Sequence, residues 1–286
     1  MLAFVVTALY QPGVTIIERA RSFFGVHKVV ETADGMYRLL FHGTTIHGAE
    51  RIVDASAQRP EPLTYYYFGG PLSEAVGAAR GAQGSLSRAA VVGLGTGSLA
   101  CHQHDGERWT FFEIDPEVAR IARDDRYFHF LSACGPRDEI VLGDARLTLA
   151  ASSERYDLIV LDAFSSDAVP VHLLTREALI GYLARLEPHG VIAFHVSNRH
   201  MELASVVAAV GAAEGLIAYF KEDDGANDFL SNYRANAQVI VMARAAADFG
   251  DLPSRHGWRR IEPKIAAWTD DYSDVLRSIL RKKLGQ

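Results

Sequence analysis

Hydrophobic and polar residues in the first part of the chain follow a pattern typical of antiparallel β-structure. Residues 14–18 and 26–31 are rich in β-branched side chains, and 33–35 supply a tight turn before the apolar run 36–41. Another turn and a short strand follow in 42–48. Because no segment of helical period separates these hairpins, we expect a small antiparallel β subdomain over residues 1–68.

From about residue 70 onward, apolar strand-like runs alternate with segments of helical period. This alternation is typical of a doubly wound, parallel-type sheet, and near-continuous apolar strands indicate helices on both faces. We therefore predict an α/β fold with a Rossmann-like domain over 69–286. The predicted strands are 89–93, 109–114, 139–142, 156–161, 190–196 and 237–242, the predicted helices are 116–123, 176–186 and 202–214, and 221–236 is predicted to be an exposed loop.

Composition narrows the possible partners. The 286 residues include 29 Lys and Arg against 35 Asp and Glu, so no basic field favours nucleic acid or an anionic membrane. The apolar segment 1–10 is shorter than the roughly 20 residues that span a bilayer. It predicts a first strand or an ordered arm, the alternative being the remnant of a linker to a membrane domain. Cys101 and Cys134 lack a metal-ligand spacing and are predicted to be free thiols, so we expect a cytoplasmic protein.

Residues suited to binding a nucleoside lie where the predicted strands end. The first strand of the alternating region runs into the glycine-rich turn 93–97, where glycines let a ligand approach backbone N–H groups closely. The next strand ends at Glu113, about 20 residues further on, where a carboxylate can accept hydrogen bonds from ribose hydroxyls. Asp115 is predicted to cap the helix that Pro116 begins.

The third strand adds a second acidic tip at Asp144, which could accept a hydrogen bond from the adenine amine. The alternative is that Glu113 and Asp144 only cap helices. NAD sites share the first two elements, but they use G-x-G-x-x-G, and Ser98 stands at the last glycine of that spacing. We therefore predict a class I S-adenosylmethionine-type site, and its predicted cofactor-binding residues are Gly93, Gly95, Thr96, Gly97, Glu113, Asp144 and Ala145.

With these motifs the chain resembles the polyamine aminopropyltransferases, the spermidine synthase family, and in particular its bacterial branch often fused to a membrane domain. The resemblance covers roughly residues 18–275. It rests on 21–25 (RSFFG), 42–48 (HGTTIHG), 93–97 (GLGTG), 113–115 (EID), 143–145 (GDA), 162–170 (DAFSSDAVP) and 268–272 (WTDDY).

This resemblance implies a small β domain before a Rossmann-like domain. It also implies transfer of an aminopropyl group from decarboxylated S-adenosylmethionine to a diamine such as putrescine, with release of methylthioadenosine. We expect a small-molecule amine substrate, a homodimer, and a membrane domain fused to or associated with relatives. No metal is expected, because a sulfonium is already an activated leaving group.

The resemblance also assigns catalytic roles. Asp162, at the end of the predicted strand 156–161, matches the aspartate that accepts the proton of the attacking amine. That chemistry is sound, because an ammonium ion is not a nucleophile and a carboxylate must orient and deprotonate it. Capping a turn is the alternative for Asp162. Asp167 is a candidate second carboxylate, although the family places it three residues after the first, where this chain has Ser165.

Further substrate-binding candidates come from three segments. Tyr66 is the candidate among the tyrosines at 65–67, and packing is expected for at least one of them. His47, with His42, could line the same pocket or be structural. Asp270 and Asp271 could close over the site from the C-terminal segment, with helix capping as the alternative for one of them.

Thr96 departs from the family pattern. The aminopropyltransferases carry an aspartate at this position of the glycine-rich turn, where it holds the amine of the propyl chain. Thr96 has no charge, so either another carboxylate holds that amine or the cofactor keeps its own carboxylate, as in a small-molecule methyltransferase that uses S-adenosylmethionine. A non-catalytic nucleoside-binding domain is a third alternative.

Overall fold

The structure, a computed structural model, describes residues 14–53, 59–163, 170–223 and 232–285. The segment 1–10, Asp167 and residues 224–231 of the predicted loop lie outside the described residues.

The N-terminal sheet is an antiparallel meander whose four strands follow one another in sequence, as predicted. The turn between its second and third strands is the expected one, because Gly35 has a φ of +67° and the Met36 N–H donates to Asp34 Oδ1 at 2.9 Å. The boundary of this subdomain at residue 68 stays a prediction. The strands are β1 (Thr15–Arg21), β2 (Val26–Glu31), β3 (Tyr37–His42) and β4 (Thr45–Arg51).

The remainder of the chain builds an eight-stranded sheet in the order β12-β10-β11-β9-β8-β5-β6-β7. Strands β7, β6, β5, β8 and β9 pair in parallel, which agrees with the predicted Rossmann-like α/β fold. The strands are β5 (Arg88–Val92), β6 (Arg108–Glu113), β7 (Glu139–Leu142), β8 (Tyr156–Leu161), β9 (Leu186–His195), β10 (Ile217–Asp223), β11 (Ala237–Ala243) and β12 (Arg259–Arg260).

One edge of this sheet differs from the prediction. Strand β11 runs antiparallel to both β9 and β10, and β10 and β12 were not predicted. The reason is the connection: β10 leads to β11 without an intervening crossover helix among the described residues, and a parallel pairing would require such a crossover. The predicted loop 221–236 therefore begins inside β10.

Helices cover both faces of the large sheet, as the apolar strands predicted. Alternate residues of each strand point to opposite faces, so Val91 and Val160 join one buried cluster while Val92 and Leu161 join the other. None of the described helices has the length and apolarity that crossing a membrane requires. The helices are α1 (Pro71–Gln83), α2 (Pro116–Ala122), α3 (Phe130–Cys134), α4 (Ala145–Ala151), α5 (Arg176–Ala184), α6 (Ala204–Ala213) and α7 (Val275–Leu284).

Cys101 and Cys134 form a disulfide, so the prediction of two free thiols is wrong. The sequence places them 33 residues apart, but the fold brings their Cα atoms to 4.9 Å, within the range that a disulfide spans. Cys101 lies in the short 3₁₀ helix Ser98–His102 that follows the glycine-rich turn, and Cys134 ends α3. The cysteines therefore give no argument for a reducing compartment.

We expect the disulfide to stabilise the fold, because it closes a loop of 33 residues in the unfolded chain. Loop closure of this length contributes about 4 kcal/mol to the free energy of unfolding. Urea denaturation with and without reductant measures it, and the double variant Cys101→Ala/Cys134→Ala serves as the control that reductant cannot affect. Equal stability of the wild-type protein with and without reductant would contradict the expectation.

Candidate active site

The carboxyl ends of four parallel strands open onto one cavity of ≈ 300 Å³. Strands β5, β6, β7 and β8 are neighbours in the sheet, so the residues that follow them meet at one edge. The N-terminal sheet closes the cavity from another side with His27, His42 and His47. The strand ends contribute Gly93, Leu94, Gly95, Glu113, Ile114, Asp115, Asp144, Ala145, Asp162 and Ala163.

The glycine-rich turn after β5 passes too close to its neighbours for side chains. A Cβ on Gly93 would lie 2.2 Å from the carbonyl oxygen of Asp162, and a Cβ on Gly95 would lie 2.7 Å from that of His47. Both glycines also have positive φ angles, +96° and +55°, which disfavour any other residue. The turn is thereby fitted between the end of β8 and strand β4, with its backbone lining the cavity.

Two residues of this turn do not line the cavity, contrary to the cofactor-binding roles expected for them. Thr96 is fully buried and faces Gly48 of β4, where a Cβ on that glycine would lie 2.3 Å from Thr96 Oγ1. Gly97 faces Leu131 of α3 instead. The turn is compressed between β4 and α3, so only residues 93–95 reach the cavity.

Glu113 at the end of β6 holds the turn in place. Its Oε2 accepts a hydrogen bond from the Leu94 N–H at 3.0 Å, and its Oε1 accepts one from the Asp115 N–H at 2.8 Å. Burial raises the pKa of Glu113 above its usual range, against the effect of these donors. A carboxylate has further lone pairs, so Glu113 can also accept hydrogen bonds from a ligand.

Asp115 does not act as a free carboxylate in the cavity. Its Oδ1 accepts from the Glu117 N–H at 2.9 Å, which confirms the predicted cap of α2. Its Oδ2 lies 2.6 Å from His27 Nε2 and also accepts a hydrogen bond from the Ser22 hydroxyl. Asp115 thus joins the N-terminal sheet to the large sheet beside the cavity.

Asp144 after β7 takes the helix-capping role, and its contact with adenine stays a prediction. It caps α4, accepting a hydrogen bond from the Arg146 N–H at 2.9 Å, and it also lines the cavity. Its Oδ2 lies 3.3 Å from His172 Nε2 at the rim. Ala145 lines the cavity beside it.

Both carboxylate oxygens of Asp162, the residue after β8, have hydrogen-bond partners. The Tyr66 hydroxyl donates to Oδ2, and His195 Nδ1 lies 2.7 Å from Oδ1. The side chains of His195 and Asp162 are only 5% and 4% exposed. Burial, together with the nearby Asp162 charge, raises the pKa of Tyr66, so its hydroxyl stays protonated and donates.

The sequence analysis did not identify His195. It ends β9, which pairs in parallel with β8, so its side chain reaches the same edge of the sheet as Asp162. The ring of Tyr65 stacks on that of His195, with 4.3 Å between the ring centroids. The available signal was a histidine near the end of the predicted strand 190–196, which follows the predicted strand 156–161 in the sequence.

His102 contacts the backbone of Tyr66, because its Nε2 lies 2.6 Å from the carbonyl oxygen of Tyr66. Burial lowers the pKa of His102 to about 4, below the value of about 6.5 expected in the unfolded chain. Between these pH values the unfolded chain binds the proton more strongly, so the His102 contribution to stability is lost as the pH falls from 6.5 towards 4.

We therefore expect His102→Gln, which keeps an N–H donor but does not titrate, to weaken the pH dependence of stability. Between pH 7 and pH 5 the wild-type protein should lose about 2 kcal/mol more unfolding free energy than the variant. Urea denaturation of both proteins at the two pH values measures the difference. Parallel losses in the two proteins would show that His102 is not a buried neutral group.

The remaining expected residues lie elsewhere. Asp270 does not line the cavity, because its carboxylate is held by Arg146 (2.8 and 2.6 Å) and by the Thr175 hydroxyl (2.8 Å). Asp271 is exposed in the following turn. Both C-terminal aspartates therefore lie at the surface and away from the cavity. Asp167 lies outside the described residues.

The charges around the cavity favour a cationic ligand. Four of the described lining residues are carboxylic acids, and none is a lysine or arginine. The described residues also contain no cluster of side chains suited to a metal ion. A cation with hydrogen-bond donors therefore suits this cavity better than an anion does.

No family model matches the chain. It is 30% identical over 184 residues to a polyamine aminopropyltransferase from Vibrio vulnificus, an alignment that covers 62% of this chain and only 58% of that protein. The chain therefore spans less than two thirds of that curated relative.

Solved structures give the fold. A probable spermidine synthase from Corynebacterium glutamicum is 17% identical, with 91% of this chain and 98% of that one covered and a TM-score of 0.62. A spermidine synthase in complex with the transition-state analogue AdoDATO is 13% identical, with 94% and 87% covered and a TM-score of 0.55. The chain is thus related in sequence to the polyamine aminopropyltransferases and has the fold of the spermidine synthases, as its motifs indicated.

Proposed function

We propose that this protein is an aminopropyltransferase, which transfers the three-carbon amine of decarboxylated S-adenosylmethionine to a small amine such as putrescine. The observation that carries this proposal is Asp162, a buried carboxylate at the cavity whose two oxygens are oriented by Tyr66 and His195. The similarity to the Vibrio vulnificus aminopropyltransferase supports the same reaction.

The strand ends beside Asp162 suit the nucleoside. Gly93 and Gly95 bring bare backbone to the cavity, Glu113 offers carboxylate lone pairs at the distance along the chain typical of a ribose ligand, and Asp144 offers an acceptor for the adenine amine. A spermidine synthase of the same fold has been solved in complex with the transition-state analogue AdoDATO, which supports a ligand of that class for this protein.

Asp162 then acts on the amine that attacks. Its carboxylate accepts the proton of the ammonium, so the nitrogen gains a free electron pair. That pair forms the new N–C bond at the carbon next to the sulfonium while the C–S bond breaks, and methylthioadenosine leaves as a neutral thioether. Because Tyr66 and His195 already orient Asp162, the base needs no reorganisation before the reaction.

The charge of the cavity favours the decarboxylated cofactor over S-adenosylmethionine itself. Decarboxylation removes the negative group and leaves an ammonium and a sulfonium, both cations. Four acidic side chains line the cavity, of which only Asp115 is taken up by His27 and Ser22, and no lysine or arginine is among the described lining residues, so the cavity suits two cations better than a carboxylate. This electrostatic preference supports aminopropyl transfer over methyl transfer.

Incubation of the purified protein with decarboxylated S-adenosylmethionine and putrescine tests the proposal. We expect methylthioadenosine and a longer polyamine in equal amounts. A parallel reaction with S-adenosylmethionine should give no S-adenosylhomocysteine. Release of S-adenosylhomocysteine, or no product from a panel of diamines, would overturn the proposal.

A further inference from the structure

His47 is placed to contact the chain that the sulfonium carries, an inference that rests on the proposed function. It lies in β4, and its carbonyl oxygen abuts Gly95, so this part of the strand crosses directly over the glycine-rich turn. Its imidazole lines the cavity. No other residue of β4 lines the cavity, and Thr96 beneath it is turned away towards Gly48.

The three histidines that the N-terminal sheet contributes differ in how they are held. His27 Nε2 lies 2.6 Å from Asp115 Oδ2, and His42 Nε2 lies 2.9 Å from the Phe24 carbonyl oxygen. His47 Nε2 and His27 Nδ1 are both buried without a hydrogen-bond partner among the described residues, but His27 is already held through its other nitrogen and no hydrogen bond holds the His47 imidazole through Nε2. A buried nitrogen without a partner is costly, so a ligand that supplies one gains affinity.

The imidazole of His47 is neutral at physiological pH. Burial lowers its pKa to about 4, and His42, His27 and His195 act in the same direction, while the charge of Asp162 opposes them. A neutral imidazole has one nitrogen with a free electron pair, which can accept a hydrogen bond from a cation.

Two ammonium groups must be bound for aminopropyl transfer, one on the attacking amine and one at the end of the transferred chain. Asp162 receives the first, and Glu113 and Asp144 at the tips of β6 and β7 suit the nucleoside. Two histidines at the cavity, His27 and His47, have a buried nitrogen without a partner among the described residues, and of these two His47 is the one whose backbone abuts Gly95 of the glycine-rich turn. We propose that the His47 imidazole accepts a hydrogen bond from the terminal ammonium of the chain on the sulfonium.

Calorimetric titration with two ligands tests this role. Decarboxylated S-adenosylmethionine carries the chain, and methylthioadenosine has the same nucleoside without it. For His47→Leu we expect the affinity for the decarboxylated cofactor to fall about tenfold to hundredfold, the effect of losing one hydrogen bond to a charged group. The affinity for methylthioadenosine should be unchanged, which also shows that the variant is folded.

His47→Gln is the matched variant, because its amide oxygen can accept the same hydrogen bond. We expect it to keep most of the affinity for the decarboxylated cofactor. An equal loss for both ligands in His47→Leu would overturn the inference, since His47 would then contact the nucleoside or hold the turn. Unchanged binding of both ligands with a raised KM for the amine would also overturn it, in favour of the attacking amine.

Because these readouts are equilibrium affinities, they are independent of turnover. A wild-type protein that shows this His47-dependent binding but releases no methylthioadenosine would overturn the proposed function and leave the role of His47 standing. A wild-type protein that binds methylthioadenosine and not the decarboxylated cofactor would overturn both.

Discussion

Asp162→Asn is expected to lower kcat by about 10²- to 10⁴-fold, the usual contribution of a positioned general base. The amide cannot accept the proton of the attacking ammonium, although it fills the same space between Tyr66 and His195. The affinity for methylthioadenosine should be unchanged, because Asp162 acts on the amine and not on the nucleoside. Steady-state kinetics together with calorimetry measure both quantities.

The matched control is Asp105→Asn, which removes an exposed carboxylate near the amino end of β6, the end of the sheet opposite to the cavity. It should retain wild-type kcat. If Asp162→Asn retains kcat as well, Asp162 only terminates β8, and the base has to be sought elsewhere.

His195→Phe is expected to lower kcat about tenfold to hundredfold. Phenylalanine can keep a ring against Tyr65, but it removes the donor that lies 2.7 Å from Asp162 Oδ1. The carboxylate then loses the donor on Oδ1, so it is less firmly oriented towards the amine. The affinity for methylthioadenosine should remain that of the wild-type protein, measured by calorimetry beside the kinetics.

His195→Asn separates the hydrogen bond from the ring. Its amide N–H can take the place of Nδ1–H, so we expect a kcat above that of His195→Phe. A lower kcat in His195→Asn than in His195→Phe would mean that the stacking of the ring on Tyr65 matters more than the hydrogen bond to Asp162.

The convergence of the strand ends could be predicted from the sequence because it follows from topology alone. Parallel strands with helical crossovers place every carboxyl end at one edge, so residues directly after β5, β6, β7 and β8 must be neighbours. Predicting that Glu113, Asp144 and Asp162 lie at this edge required no knowledge of side-chain packing. Roles for these residues in the reaction stay predictions.

Other features depend on packing that sequence patterns do not encode. Thr96 sits in the glycine-rich turn, yet it points away from the cavity because Gly48 of β4 leaves room for it. That contact joins residues far apart in the chain, and hydrophobic periodicity carries no information about it. The disulfide and the pairing of Asp270 with Arg146 arise in the same way, from contacts between distant segments.

The antiparallel edge of the large sheet was missed for a different reason. Strand β10 (Ile217–Asp223) ends in Lys221, Glu222 and Asp223, three charged residues that resemble a loop in composition. A strand at the margin of a sheet is only partly covered, so polar residues are tolerated there. Composition therefore underestimates such strands.

The cavity is bounded by two parts of the chain with separate folding patterns, the strand ends on one side and the histidine-bearing meander on the other. Under the proposed function, sequence divergence within 26–51 therefore changes which alkyl substituent on the sulfonium is accepted, while the proposed adenosine contacts persist. Homologues that share residues 93–95, 113 and 144 but differ at 27, 42 and 47 would be the natural place to look for altered donor selectivity.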